Sequence, residues 1–156
     1  MFCNQQSLTD KDRIGWAFFD IGVHLLITAI FASFVYLKFN NLWYVAGVAA
    51  AGILIDIDHC VDYFLVLRTF TFRDFFGSTY VRSGRIYLIL HSWELIAGFV
   101  AFALLSQNTP FLLVSVSLAF HLFIDNIQRR NPFCYLLSYR IVKRFDARVL
   151  IPEDFL

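Results

Sequence analysis

At 156 residues, with 59% hydrophobic residues, 16% charged residues and a mean hydropathy of +0.64, the chain departs from the soluble average of about 25% charged. Thirteen basic and twelve acidic residues leave a formal net charge of +1, which offers no bulk attraction for nucleic acid. Three widely spaced cysteines, Cys3, Cys60 and Cys134, form no CxxC pair, which argues against a disulfide framework or a thiolate zinc knuckle.

The polar stretch 1–13 carries Thr9 and Asp10 as candidate helix caps. The apolar run 14–37 that follows is too long for the h-region of a signal peptide and is read as a first membrane span, with Asp20 and His24 one helical turn apart. Lys38-Phe-Asn-Asn41 is a tight turn. The second span, 42–67, would cover roughly 39 Å as a helix, enough to cross a bilayer with some tilt. Within it, Gly52-Ile-Leu-Ile-Asp-Ile-Asp-His-Cys-Val-Asp62 places three carboxylates and an imidazole in otherwise apolar sequence. A charge near mid-membrane costs about 2.5–3.5 kcal/mol on insertion scales, so Asp56, Asp58, His59 and Asp62 need a proton, a cation, water or one another.

The connector 68–85 mixes four arginines with aromatics and two glycines and suits the membrane interface. A third span, 86–106, carries His91 and Glu94 in HSWE, and 106–110 is a turn whose Pro110 opens the next helix. The fourth span, 111–128, carries His121 and Asp125 in HLFID. Pro132 then breaks the helix, and Arg140, Lys143 and Arg144 fall opposite Leu136, Leu137 and Ile141, as in an amphipathic helix lying in the membrane plane. The expected fold is therefore all-α: a polytopic membrane protein with a four-transmembrane-helix bundle over 1–130. Residues 131–156 form an interfacial tail.

Four spans place both termini and the connector on one side. That side holds every one of the thirteen basic residues except Lys38, so the positive-inside rule makes it cytoplasmic, and the inner membrane if the source is bacterial. Measured from the cytoplasmic helix ends at 1.5 Å per residue, all four histidines fall roughly 7–15 Å deep, each on a different span. Incidental core histidines would scatter. Coincident depth points to one site.

The inventory is His24, His59, His91 and His121 with Asp20, Asp56, Asp58, Asp62, Glu94 and Asp125. Imidazole and carboxylate without sulfur suit zinc, manganese or iron, with zinc the commonest choice for hydrolysis. Asp56/His59, His91/Glu94 and His121/Asp125 stand at the i, i+3 or i, i+4 spacing by which helical bundles build dimetal centres, so one or two ions fit. Asp20 is expected to support His24 from outside the shell.

The chain resembles the YdjM-like family of inner-membrane-associated metal-dependent hydrolases. The shared pattern is an early His in the first span (His24), D-x-D-H in the second (Asp56, Asp58, His59), H-S in the third (His91, Ser92) and H-x-x-x-D in the fourth (His121, Asp125). The last element is also similar to that of zinc-dependent phospholipases C. The family carries a further His shortly before the H-S, where this chain has Ile86, and Glu94 follows instead. The resemblance implies metal-dependent hydrolysis at a membrane.

Taken together, the expectation is a membrane-integral hydrolase of a phospholipid or other phosphorylated lipid, with no nucleic-acid partner and compatible with a homo-oligomer. His24, Asp56, Asp58, His59, His91, His121 and Asp125 are the metal-ligand candidates. Glu94, as base or water-orienting group, and Asp62 are the catalytic candidates. Arg68, Arg82 and Arg85 are the phosphate-binding ones. The rivals are a metal or proton transporter, a scaffold with a structural metal, and a metal-dependent oxidase.

Overall fold

The computed structural model describes residues 10–66, 69–76, 84–128 and 131–150; Arg68 and Arg82 lie outside them, as do the capping candidate Thr9 and the last residues of the tail. The described chain is all-helical: α1 (Asp10–Phe39), α2 (Leu42–Leu54), α3 (Ile57–Val66), α4 (Phe72–Phe76), α5 (Trp93–Leu105), α6 (Thr109–Gln128), a 3₁₀ turn (Pro132–Tyr135), α7 (Leu137–Val142) and α8 (Ala147–Leu150). Three stretches are long and apolar enough to cross a membrane: Ile14–Phe39, Leu42–Leu65 and Thr109–Ile127. Their outer faces expose Phe19, Leu26 and Ile30 on α1 and Phe120 and Phe123 on α6, which fits a membrane-integral protein.

Local chemistry sets the corners. Asn40 takes a left-handed φ of 46°, a conformation asparagine tolerates, and Asn41 Oδ1 accepts the Trp43 N–H at 2.9 Å to start α2. At the next corner Ser106 Oγ donates to the Phe102 carbonyl at 2.7 Å, and Asn108 Oδ1 accepts the Phe111 N–H at 3.0 Å, starting α6.

The long helices pack around α6, which contacts α1, α2 and α5, while α1 also packs along α2. Among apolar surroundings, close helix approach needs small residues rather than hydrophobic drive. Gly47 faces Val114, and a Cβ on Gly52 would stand 2.4 Å from Thr28 Oγ1, so α1 and α2 meet where only glycine fits. Ser117 Oγ donates to the Val48 carbonyl at 2.9 Å and ties α6 to α2. One apolar cluster (Ala32, Val35, Val48) fills the α1–α2 contact, and a second (Ile96, Leu122, Tyr135) joins α5 and α6 to the 3₁₀ turn.

Three sequence expectations change. The second span is not one helix: it breaks at Ile55–Asp56, between α2 and α3, and the His59 N–H closes a tight bond to the Asp56 carbonyl at 3.1 Å. The third span is helical only from Trp93, because Ser92 is extended (φ −136°) and its side chain accepts the Leu95 N–H as a cap. Residues 86–92 before it are non-helical, and α5, at 13 residues, measures about 20 Å against a hydrocarbon core of about 30 Å. Finally, the tail is not a continuous amphipathic helix. Arg144 and Phe145 take left-handed φ values of 53° and 58°, separating α7 from α8, and Arg140 is 2% exposed rather than turned to the surface.

The tail instead returns to the 84–92 segment. The Ile86 N–H donates to the Phe145 carbonyl at 3.0 Å and the Ala147 N–H to the Gly84 carbonyl at 3.0 Å, beside a buried cluster of Tyr63, Ile86 and Ala147. Leu88, on this segment, holds a left-handed φ of 40°, a conformation costing about 1–3 kcal/mol for a non-glycine residue.

Candidate metal centre

The fold brings side chains from five places to one point. His24 comes from mid-α1, Asp56 from the break between α2 and α3, His59 from the first turn of α3, His91 from the non-helical segment, and His121 and Asp125 from one face of α6. Two groups have ligand-type atoms mutually within 4.8 Å: His24, His121 and Asp125, and Asp56, His59 and His91. Either could hold a metal ion.

The two groups adjoin. Asp56 Oδ1 lies 3.4 Å from His91 Nε2 and 3.3 Å from His121 Nε2, and Asp125 Oδ2 lies 3.3 Å from His91 Nε2 and 3.7 Å from His121 Nε2. Asp125 Oδ1 is 3.0 Å from His24 Nε2, and His59 Nε2 stands further off, 3.9 Å from Asp56 Oδ1. Two ligand atoms bound tetrahedrally to one ion at about 2.1 Å stand about 3.4 Å apart. The observed spacings match that edge.

The hydrogen-bond inventory agrees. The Nε2 atoms of His24, His91 and His121 are buried, and none is in hydrogen-bonding geometry with a partner among the described residues. A buried polar atom without a partner costs about 1–3 kcal/mol, so three converging on two carboxylates is the donor set a cation satisfies. Each of two rings is fixed from behind. A carbonyl can only accept, so His121 Nδ1 donates to the Gly52 carbonyl at 2.9 Å, which leaves the Nε2 lone pair facing the cluster. His91 Nδ1 lies 2.9 Å from Asp58 Oδ1, the carboxylate–histidine pairing that typically supports a metal-bound imidazole. The rings of His24 and His121 stack with centroids 3.9 Å apart.

Several expected site residues stand elsewhere. Asp58 belongs to neither group: besides His91 Nδ1 it accepts the N–H groups of Leu90 at 3.0 Å and His91 at 3.3 Å, so it orients a candidate ligand. Asp62 Oδ2 accepts the N–H groups of Tyr87 at 2.8 Å and Leu88 at 3.2 Å and supports the same segment. Glu94, expected as general base, caps α7: its carboxylate accepts the N–H groups of Leu137 at 2.8 Å and Ser138 at 2.9 Å and the Ser138 hydroxyl at 2.7 Å. The reason is that Glu94 follows Ser92, so it stands on the first turn of α5 while His91 precedes the helix. Arg85 is exposed, and its backbone bridges to Asp146. Asp20 lies 3.5 Å from His24 Nε2 with its side chain 40% exposed.

The cluster is sealed on one side and open on the other: His91 is fully buried, whereas the Asp56 side chain is 44% exposed. Two residues outside the expected site set, Gly52 and Arg140, matter here. Gly52 was visible as the small residue opening the acidic stretch. Arg140 left no local signal, because its partners are more than forty residues away in the chain. The chain matches no protein-family model, no curated protein and no solved structure.

Proposed function

We propose that the protein is a membrane-embedded metal-dependent hydrolase acting on a phospholipid or another phosphorylated lipid. The observation that carries this reading is the meeting of three buried imidazole nitrogens, without hydrogen-bond partners among the described residues, at Asp56 and Asp125 with ligand-shell spacing. The donor set, imidazole and carboxylate without sulfur, suits one or two zinc ions, with manganese or iron as the alternatives. A bound zinc ion supplies Lewis acidity and lowers the pKa of its water to about 7.

In this reading His24, His91, His121, Asp56 and Asp125 hold the metal, with His59 at the edge of the shell. Asp58 and the Gly52 carbonyl fix the tautomers of His91 and His121. The exposed flank of Asp56 is where a substrate phosphate and water reach the centre, and an open flank favours catalysis over a closed structural site. The 86–92 segment and α5 together make the third of four crossings in chain order, and non-helical backbone at that depth is tolerated because protein groups take its polar atoms. Termini facing the cytoplasm follow from the basic-residue bias. The motif resemblance to the YdjM-like family points to the same reaction class.

Transport is the weaker reading. Ser33, Ser106 and Ser115, on the far side of the cluster, each donate to the carbonyl one turn back in their own helix, a poor start for an ion path. The test is metal analysis of the detergent-purified protein with release of phosphate or headgroup from mixed phospholipid vesicles. Zinc in near-integral ratio and turnover abolished by chelation and by His121→Ala are expected. A chain that stays metal-free after zinc supplementation refutes the proposal.

A further inference from the structure

The 86–92 segment carries His91, yet it has no helix or sheet to fix it. What holds it is a pair of charged edges. On one edge the carboxylates of Asp62 and Asp58 accept the N–H groups of Tyr87, Leu88, Leu90 and His91. On the other, the Arg140 guanidinium donates to the carbonyls of Tyr87, Leu88 and, at 2.7 Å, His91. The Tyr87–Leu88 peptide has its N–H at the Asp62 carboxylate and its carbonyl at the Arg140 guanidinium, so the two edges reinforce each other there. Arg140 is 2% exposed, and burying a guanidinium is costly unless its hydrogens are taken up. Three carbonyls take up hydrogens of the two terminal nitrogens, while Nε is buried with no hydrogen-bond partner among the described residues; an ammonium group, with no planar fork, is a poorer match to the three carbonyls.

We infer that Arg140 is a positioning residue for the metal centre, and that the C-terminal segment carrying it is a working part of the site. The guanidinium bonds the carbonyl of His91 itself, the residue whose side chain presents Nε2 to Asp56 and Asp125. It also grips Leu88, which keeps its left-handed backbone against its own preference. The tail is in turn docked by the Glu94 cap on α7 and by the pairing of Phe145 and Ala147 with Ile86 and Gly84. The inference rests on the metal-site reading above.

The test uses the full chain in detergent, loaded with cobalt(II) as a spectroscopic probe and titrated against a chelator for affinity. Arg140→Ala and Arg140→Gln are expected to weaken cobalt and zinc binding about 10–100-fold, the usual effect of removing an outer support, and to shift the cobalt d–d bands. Arg140→Lys should recover part of both, and Lys143→Ala, at the exposed residue that follows α7, should change neither. If Arg140→Ala fails to fold, Arg140→Gln and Arg140→Lys carry the test. Wild-type affinity and an unshifted spectrum in the folded variants overturn the inference while leaving the metal centre standing. A wild-type chain that takes up neither metal overturns both.

Discussion

The Gly52 carbonyl and His121 Nδ1, 2.9 Å apart, join the close approach of α2 to Thr28 on α1 to the candidate metal centre. Gly52 lets α2 approach Thr28 on α1, and the same residue's carbonyl sets the tautomer of a candidate ligand on α6. Gly52→Ala should therefore injure packing and site together. Its Cβ would stand 2.4 Å from Thr28 Oγ1, and overpacking of this kind costs about 1–3 kcal/mol. Thermal unfolding should show the loss and chelator titration a weaker site. Adding Thr28→Ala should restore most of the stability, and a Gly52→Ala variant as stable as the parent would contradict the contact.

Metal removal should lower the melting temperature, because an ion that binds only the folded chain stabilises it by mass action, by about 2.7 kcal/mol at a hundredfold excess over Kd. Zinc should raise the melting temperature of the wild-type protein in a concentration-dependent way. His121→Ala should abolish both that rise and hydrolysis, and differential scanning with and without zinc measures the effect directly.

Asp56 and Asp58, two residues apart, should behave differently. Asp56→Asn removes an oxygen that faces two imidazoles and should reduce metal stoichiometry. Asp58→Asn removes the support behind His91 and should keep stoichiometry while weakening affinity about 10–100-fold. Elemental analysis beside competition titration separates them; equal loss of metal in both variants would return Asp58 to the shell.

Glu94→Gln distinguishes a base from a cap. Loss of a general base lowers turnover about 10²–10⁴-fold. A cap shared among Leu137, Ser138 and Ser92 should instead give less than a tenfold loss, with faster hydrogen exchange at the amides of Leu137 and Ser138. Exchange mass spectrometry and a steady-state assay together decide.

The helices and the meeting of the histidines were legible because both depend on local regularities. Three apolar runs of helical length appear as helical stretches, and the four histidines meet although His91 stands on a non-helical segment. The break at Asp56, the non-helical path of 86–92 and the inward turn of Arg140 were not, because each is stabilised by partners far along the chain. The pair His91 and Glu94 shows the failure plainly: a spacing of three implied one helix face, but the Ser92 cap starts the helix between them. Arg140 shows it again. Its spacing from Lys143 and Arg144 mimics a polar face, and only the carbonyls of Tyr87, Leu88 and His91 reveal why it points inward.

The uneven covering of the cluster also bears on traffic. Of the residues that meet there, His91 is wholly enclosed while the Asp56 side chain is 44% exposed, so a cation bound as proposed would meet that carboxylate first on arrival. Under the proposed function, the short bend between α2 and α3 that carries Asp56 would then bear on the speed of metal exchange as distinct from the tightness of the complex.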